Sequence, residues 1–108
     1  MKLYYFNVYA RAECLRMLIH HAKVADFENV YVDFAAIKEL KEQGKSEFGQ
    51  VPILELDGKV YSQTVSILRL LGRKFGYYND ADIEQAYLID SALNSIEDIM
   101  ERYYKVVN

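Results

Sequence analysis

The segment QVPILELDGKVYSQT, residues 50–64, decides the fold. Ile53 to Leu56 is short and apolar, which suits a strand. Asp57-Gly58 is a strong two-residue hairpin signal, and Lys59 to Tyr61 returns as the next strand. Ser62-Gln63-Thr64 supplies side chains of the kind that open a helix. The next helix places Thr64, Ile67, Leu68, Leu71 and Phe75 on one face. The segment therefore reads strand, tight turn, strand, helix. Its entrance carries Pro52, the one proline of the chain.

Upstream, Lys2 to Phe6 (KLYYF) is aromatic and short, so a strand, and Asn7 to Ala10 is a turn. Arg11 to Lys23 gathers Leu15, Leu18, Ile19 and Ala22 on one helical face. Phe27 to Val32 alternates as a second strand. Ala35 to Gln43 is rich in helix formers, Gly44 marks its stop, and Lys45 to Gln50 is loop. The expected order is β-α-β-α-β-β-α, an α/β class. It fits a thioredoxin-like sheet: a right-handed crossover between two strands, then a hairpin and a covering helix.

Downstream, Gly72 to Asp82 has linker composition. Ile83 to about Val106 then runs without Gly or Pro, as one long helix. Ala86, Ile89, Leu93, Ile96, Met100 and Tyr103 are spaced 3-4-3-4-3, a heptad seam that needs a partner.

Composition narrows the function classes. The chain has 108 residues, 52% hydrophobic and 27% charged, with net charge −3. That length suits one small domain with a real core. The mildly acidic balance argues against a nucleic-acid groove, which needs a dense Lys/Arg face. No apolar run approaches the roughly 18 residues of a membrane span. The single Cys excludes an internal disulfide and makes a reducing compartment the expectation. His20 and His21, being adjacent, diverge on a helix, so no metal cluster is expected. Glycine-rich phosphate loops are absent. Ten tyrosines make phenol hydroxyls the abundant chemistry.

In open sheets of this kind ligands collect beyond strand ends and at helix N-termini. Three segments meet there: the loop after the first strand, the Val51-Pro52 bend, and Ser62-Gln63-Thr64. Tyr5, at the end of the first strand, is either a sheet aromatic or a phenol donating into the site. Tyr4 and Tyr9 compete for that role, and periodicity does not choose among them. Arg11 is either solvated or a cation that favours a bound thiolate or carboxylate. Lys41 and Lys45 are candidates for a second carboxylate. Ser62-Gln63-Thr64 is a helix cap or an anion site. Pro52 is trans by default; in the cis form the Val51 amide and carbonyl would turn outward to pair with an extended peptide. Cys14 lacks the second Cys of a redox motif and reads as a small core or semi-buried residue.

YYFNVYARAE, FGQVPILELDG and SQTVSILRLLGRKFG, in this order, resemble the N-terminal domain of cytosolic glutathione S-transferases. DIEQAYLID resembles the first helix of their all-helical second domain. The Gln63-Thr64 pair and the LID segment look closest to the alpha class, with sigma- and mu-like members as neighbours. The resemblance implies a thioredoxin-like glutathione-binding domain over 1–77. It implies a linker and the first helix of a truncated helical domain over 78–108. It also implies a glutathione transferase that activates the glutathione thiol for attack on a small electrophile, a detoxification role. The implied protein is a cytoplasmic homodimer with glutathione as co-substrate and no metal, nucleic acid or membrane partner. The alternative is a glutathione-binding or protein-interaction module without turnover.

Residue by residue, Tyr5, directly before Phe6-Asn7, matches the catalytic tyrosine, and Arg11 the arginine near the glutathione sulfur. Lys41 falls where a basic residue meets the glycine carboxylate. Gln50 and Val51, before what would be a cis Pro52, match residues that bind the tripeptide backbone. Gln63 and Thr64 match those holding the γ-glutamyl carboxylate. Asp98 aligns with an acidic residue that reaches the γ-glutamyl amine in the partner subunit. Phe48 sits where the alpha class carries an aromatic key for its neighbour. The family often reads Arg-Gly where this chain has Tyr9-Ala10.

Overall fold

The structure is a computed structural model that describes residues 1–107. Four strands and four helices succeed one another: β1 (Lys2–Tyr5), α1 (Glu13–His21), β2 (Glu28–Tyr31), α2 (Phe34–Glu42), β3 (Ile53–Leu56), β4 (Lys59–Ser62), α3 (Thr64–Lys74) and α4 (Ile83–Val107). The β-α-β-α-β-β-α order expected from the sequence is present, with one long helix after it. Element ends agree with expectation to within two residues.

The sheet order is β2-β1-β3-β4. β1 runs parallel to β2, while β3 is antiparallel to both β1 and β4. Alternation along β1 separates its side chains by face. Tyr4 clusters with Ile53 and with Leu40 of α2, and Val30, Val32 and Val51 pack around them. Leu3 and Tyr5 point to the opposite face, where α1 lies: Arg16 of α1 reaches Asn29, the register partner of Leu3. Helices α1 and α3 bury residues four apart, Leu15 with Ile19 and Ile67 with Leu71, as one helical face requires.

Local chemistry sets the turns. Asp57 and Gly58 both adopt positive φ, 51° and 76°, the pair of left-handed residues that a two-residue hairpin demands. Asp33 caps α2 by accepting from the Ala36 amide at 2.8 Å. Gly44 comes directly after the α2 cap with φ 76°, the left-handed stop its position implied.

The chain divides into two compact units, Met1–Leu71 and Gly72–Asn108. In the second unit, the stretch of linker composition is shorter than expected, because α3 runs on to Lys74. The turn beyond it is tightly bonded. The amides of Tyr77 and Tyr78 both donate to the Gly72 carbonyl. Arg73 grips both carboxylate oxygens of Asp80, at 2.9 and 3.0 Å, and lies 4.6 Å from the Tyr78 ring centre. Tyr78 in turn donates to the Asp90 carboxylate at 3.1 Å.

The heptad seam expected on α4 does not hold along its length. Its half-buried residues are Ala86, Ile89, Asp90, Leu93, Glu97, Met100 and Tyr104, while Ile96 and Tyr103 are each 56% exposed. Tyr104 lies eighteen positions beyond Ala86, five turns at 3.6 residues each. An unsupercoiled helix keeps that period, and a 3.5-residue seam drifts off its face.

Candidate functional site

Strand register assembles the site. Tyr4 pairs with Ile53, and Ile53 pairs with Ser62. One residue beyond that row, at the same end of the sheet, come Tyr5, Pro52 and Gln63. Neighbouring strands lie about 4.8 Å apart, so the three backbones fall within roughly 10 Å. The loop after β1, the bend before β3 and the start of α3 thus meet, as expected.

The tyrosines that periodicity left unresolved now separate. Tyr9 is 92% exposed. Tyr4 lies on the other face, where its hydroxyl donates to Glu55 Oε2 at 3.0 Å. Burial, then the Glu55 hydrogen bond and charge, push its phenol pKa above the ordinary value. Tyr5 is 6% exposed, its ring packed in the fold and edge-on to Phe6 at 5.5 Å between centroids. Its hydroxyl oxygen accepts from the Arg11 amide at 3.1 Å. That bond occupies a lone pair and does not consume the hydroxyl's own hydrogen.

Strand β1 and helix α1 are joined by a loop held from one side chain. Arg16 donates to the carbonyls of Phe6 and Val8, at 3.0 and 2.9 Å, and to Asn29 and Glu13. Arg11 is half-buried in this turn, and its carbonyl accepts from the Cys14 thiol at 3.4 Å. Cys14 is exposed, where a core or semi-buried position was expected. Its helical position turns the short side chain back toward the first turn instead of the sheet.

The second segment is the 43–52 stretch. Lys41 and Lys45 take different places. Lys45 lies 3.7 Å from Glu55 and 6.0 Å from the Tyr4 ring centre, on the face away from Tyr5. The stem of Lys41 crosses Gly49: a methyl at Gly49 would come to 3.2 Å from Lys41 Cδ and 3.5 Å from Nζ. Gly49 also has φ 67°, so two constraints favour glycine there. Ser46, 2% exposed, donates its hydroxyl to the Gln50 carbonyl at 2.9 Å. Val51-Pro52 is cis, against the default. Gln50 is exposed, Val51 half-buried and Pro52 buried. Phe48 is 54% exposed.

The third segment opens α3. Gln63 is exposed with φ 76°, a left-handed backbone that costs a non-glycine residue about 1–2 kcal/mol. Its carbonyl accepts from the Ile67 amide, which makes it the residue that starts the helix, and Thr64 is the first within it. Strain of this kind concentrates at ligand sites. Asp98 is exposed on α4, in the second compact unit.

Two organising residues carry no motif. Ser46 is a lone serine before the bend, and Arg16 sits one turn inside α1 among ordinary helix formers. No spacing or composition signal marks either one. Among the described residues no group of three His, Cys, Asp or Glu could hold a metal ion. Among the described residues, too, no helix is long and apolar enough to cross a membrane.

Comparison with known proteins gives the family and the fold. The family model for the glutathione S-transferase N-terminal domain matches residues 1–73. The chain is 38% identical to glutathione S-transferase 3 of Caenorhabditis elegans, over 98% of this chain and 49% of the relative. It is 34% identical to glutathione S-transferase alpha-2 of Rattus norvegicus, over 97% of this chain and 47% of that one. Among solved structures, a Nu-class enzyme from Haemonchus contortus superposes with TM-score 0.78 at 35% identity, covering 93% of this chain and 47% of the other. A monomeric transferase from Necator americanus, Na-GST-3, superposes with TM-score 0.79 at 30% identity, with the same coverage. The chain spans about half the length of the curated relatives it matches.

Proposed function

Because the chain belongs to the glutathione S-transferase family through its N-terminal domain, we propose that it captures glutathione beside Tyr5 and activates the thiol as thiolate for attack on an electrophile. The observation that carries this reading is the Tyr5 hydroxyl, held by the Arg11 amide at the row shared with Pro52 and Gln63.

A cysteine thiol has a pKa of about 8.5, and only its thiolate attacks well. Lowering that value by about two units takes roughly 2.7 kcal/mol of preference for the charged sulfur. One hydrogen bond to a charged acceptor contributes about 1.5–3 kcal/mol. The Tyr5 hydrogen is therefore of the right size, and the Arg11 cation adds to it. The thiolate sulfur attacks the electrophilic carbon, a C–S bond forms, and the leaving group departs with its electron pair.

The remaining roles accord with the same reading. Lys41 meets the glycine carboxylate. Gln50 and Val51, before Pro52, pair with the tripeptide backbone. Gln63 and Thr64 hold the γ-glutamyl carboxylate, and Asp98 reaches the γ-glutamyl amine of a partner subunit in a homodimer. Residues 1–77 form the glutathione-binding domain and 78–108 the linker and first helix of a helical domain. The setting is cytoplasmic detoxification, with glutathione as co-substrate.

A second reading, a glutathione-binding or protein-interaction module without turnover, draws support from the apolar side chains exposed on α4, among them Leu88, Ile96 and Ile99. Calorimetric titration with glutathione, followed by conjugation of a generic aryl halide, separates the two. Binding with turnover supports the transferase, and binding without turnover supports the module. Absence of glutathione binding in a folded sample rejects the glutathione site, and tight association with a partner then supports the protein-interaction module. Sedimentation at several concentrations tests the dimer.

A further inference from the structure

We propose that Arg16 is a positioning residue for Tyr5: it holds the loop whose Arg11 amide sets the Tyr5 hydroxyl. The inference rests on the transferase reading for its consequence, and on contacts alone for its geometry.

The Arg16 side chain is 14% exposed, so its charge is largely withdrawn from water. Four of its five N–H donors are engaged. Nε donates to Asn29 Oδ1 at 3.0 Å, Nη1 to the Val8 carbonyl at 2.9 Å and Glu13 Oε2 at 3.1 Å, and Nη2 to the Phe6 carbonyl at 3.0 Å. These partners belong to three different pieces of chain: β2, the loop after β1, and α1 itself. The guanidinium carbon also lies 5.7 Å from the Tyr5 ring centre and 5.8 Å from that of Tyr31. Tyr5 and Tyr31 are register partners on adjacent strands. One planar cation thus spans the Tyr5–Tyr31 pair and grips the loop on both sides of Asn7.

That loop runs from Tyr5 to Arg11, whose amide returns to the Tyr5 oxygen. Helix α1 has no side-chain cap at Ala12, so no hydrogen bond from the capping side chain fixes its entry. With the loop loosened, the amide moves off the phenol, and the hydroxyl loses the contact that orients it. A lysine keeps the charge but cannot reproduce a planar fork directed at four acceptors.

The test is Arg16→Lys in the 108-residue chain, read by amide hydrogen exchange and by the ultraviolet absorbance of bound glutathione thiolate against pH. The Val32 amide, which donates to the Tyr5 carbonyl at 3.0 Å, is the internal reference. We expect the Arg11 amide to exchange about tenfold faster while Val32 keeps its protection. The bound thiol should titrate about half a pH unit or more higher, with glutathione affinity changed far less. An unchanged Arg11 amide overturns the inference. Equal acceleration of Arg11 and Val32 also overturns it, since Arg16 then only stabilises the fold. A wild-type chain that forms no glutathione thiolate sinks the transferase reading, whereas the Arg11–Val32 contrast still decides the geometry. Should Arg16→Lys fail to fold, Asn29→Ala removes one acceptor and carries the same contrast at smaller amplitude.

Discussion

The Tyr5 hydroxyl and the Arg11 amide meet at 3.1 Å across six residues of chain. The bond closes the loop between β1 and α1 and leaves the phenol with a hydrogen to give. Tyr5→Phe keeps the ring and removes that hydrogen. Conjugation of a generic electrophile should fall about 10- to 150-fold, the equivalent of one charged hydrogen bond. Glutathione affinity should change little. Wild-type turnover in the folded variant would refute the assignment.

Gly49 and Gly44 both have positive φ, 67° and 76°, yet only Gly49 faces a neighbour. Alanine at either position should cost about 1–2 kcal/mol in denaturant unfolding, from backbone strain. Gly49→Ala should also push Lys41 aside and weaken glutathione binding several-fold by calorimetry. Gly44→Ala should leave affinity intact. Equal affinities in the two variants would argue against Lys41 at the glycine carboxylate.

Tyr4 supplies a pH prediction. Its folded pKa lies above the unfolded value, chiefly through burial and then through Glu55. Its contribution to stability is therefore fully present below about pH 10 and is lost as pH rises through the folded pKa. In Tyr4→Phe this alkaline component should vanish, together with about 1–2 kcal/mol at neutral pH for the lost bond to Glu55. Unfolding curves from about pH 7 to 11 check it; an identical pH profile in the two proteins would count against the bond.

Ser46→Ala leaves the Gln50 carbonyl without its hydroxyl donor. Stability should drop by about 1–3 kcal/mol. The bend before β3 should loosen as well, so glutathione binding weakens with it. Retained affinity in a destabilised variant would show that Ser46 serves the fold alone.

The sequence by itself determined the order of elements, because the Asp57-Gly58 turn, the stop at Gly44 and the helical faces are local signals read within a few residues. It also brought three loops to one end of a sheet, since strand order constrains where their ends lie. Its periodicity did not choose among Tyr4, Tyr5 and Tyr9; only the family resemblance pointed to Tyr5. Alternation says that Tyr4 and Tyr5 oppose each other, but which face carries Glu55 and which carries the Arg11 amide depends on helices packed from elsewhere in the chain. Spacing left Lys41 and Lys45 alike for the same reason, and only the resemblance singled out Lys41. The seam on α4 was read at 3.5 residues per turn, and the helix keeps about 3.6. Arg16 was invisible, because a guanidinium gains its meaning only when Phe6, Val8 and Asn29 come within 3.0 Å of it. Such contacts join residues distant in the chain, so tertiary packing decides them, whereas turns and caps are settled by their own few residues.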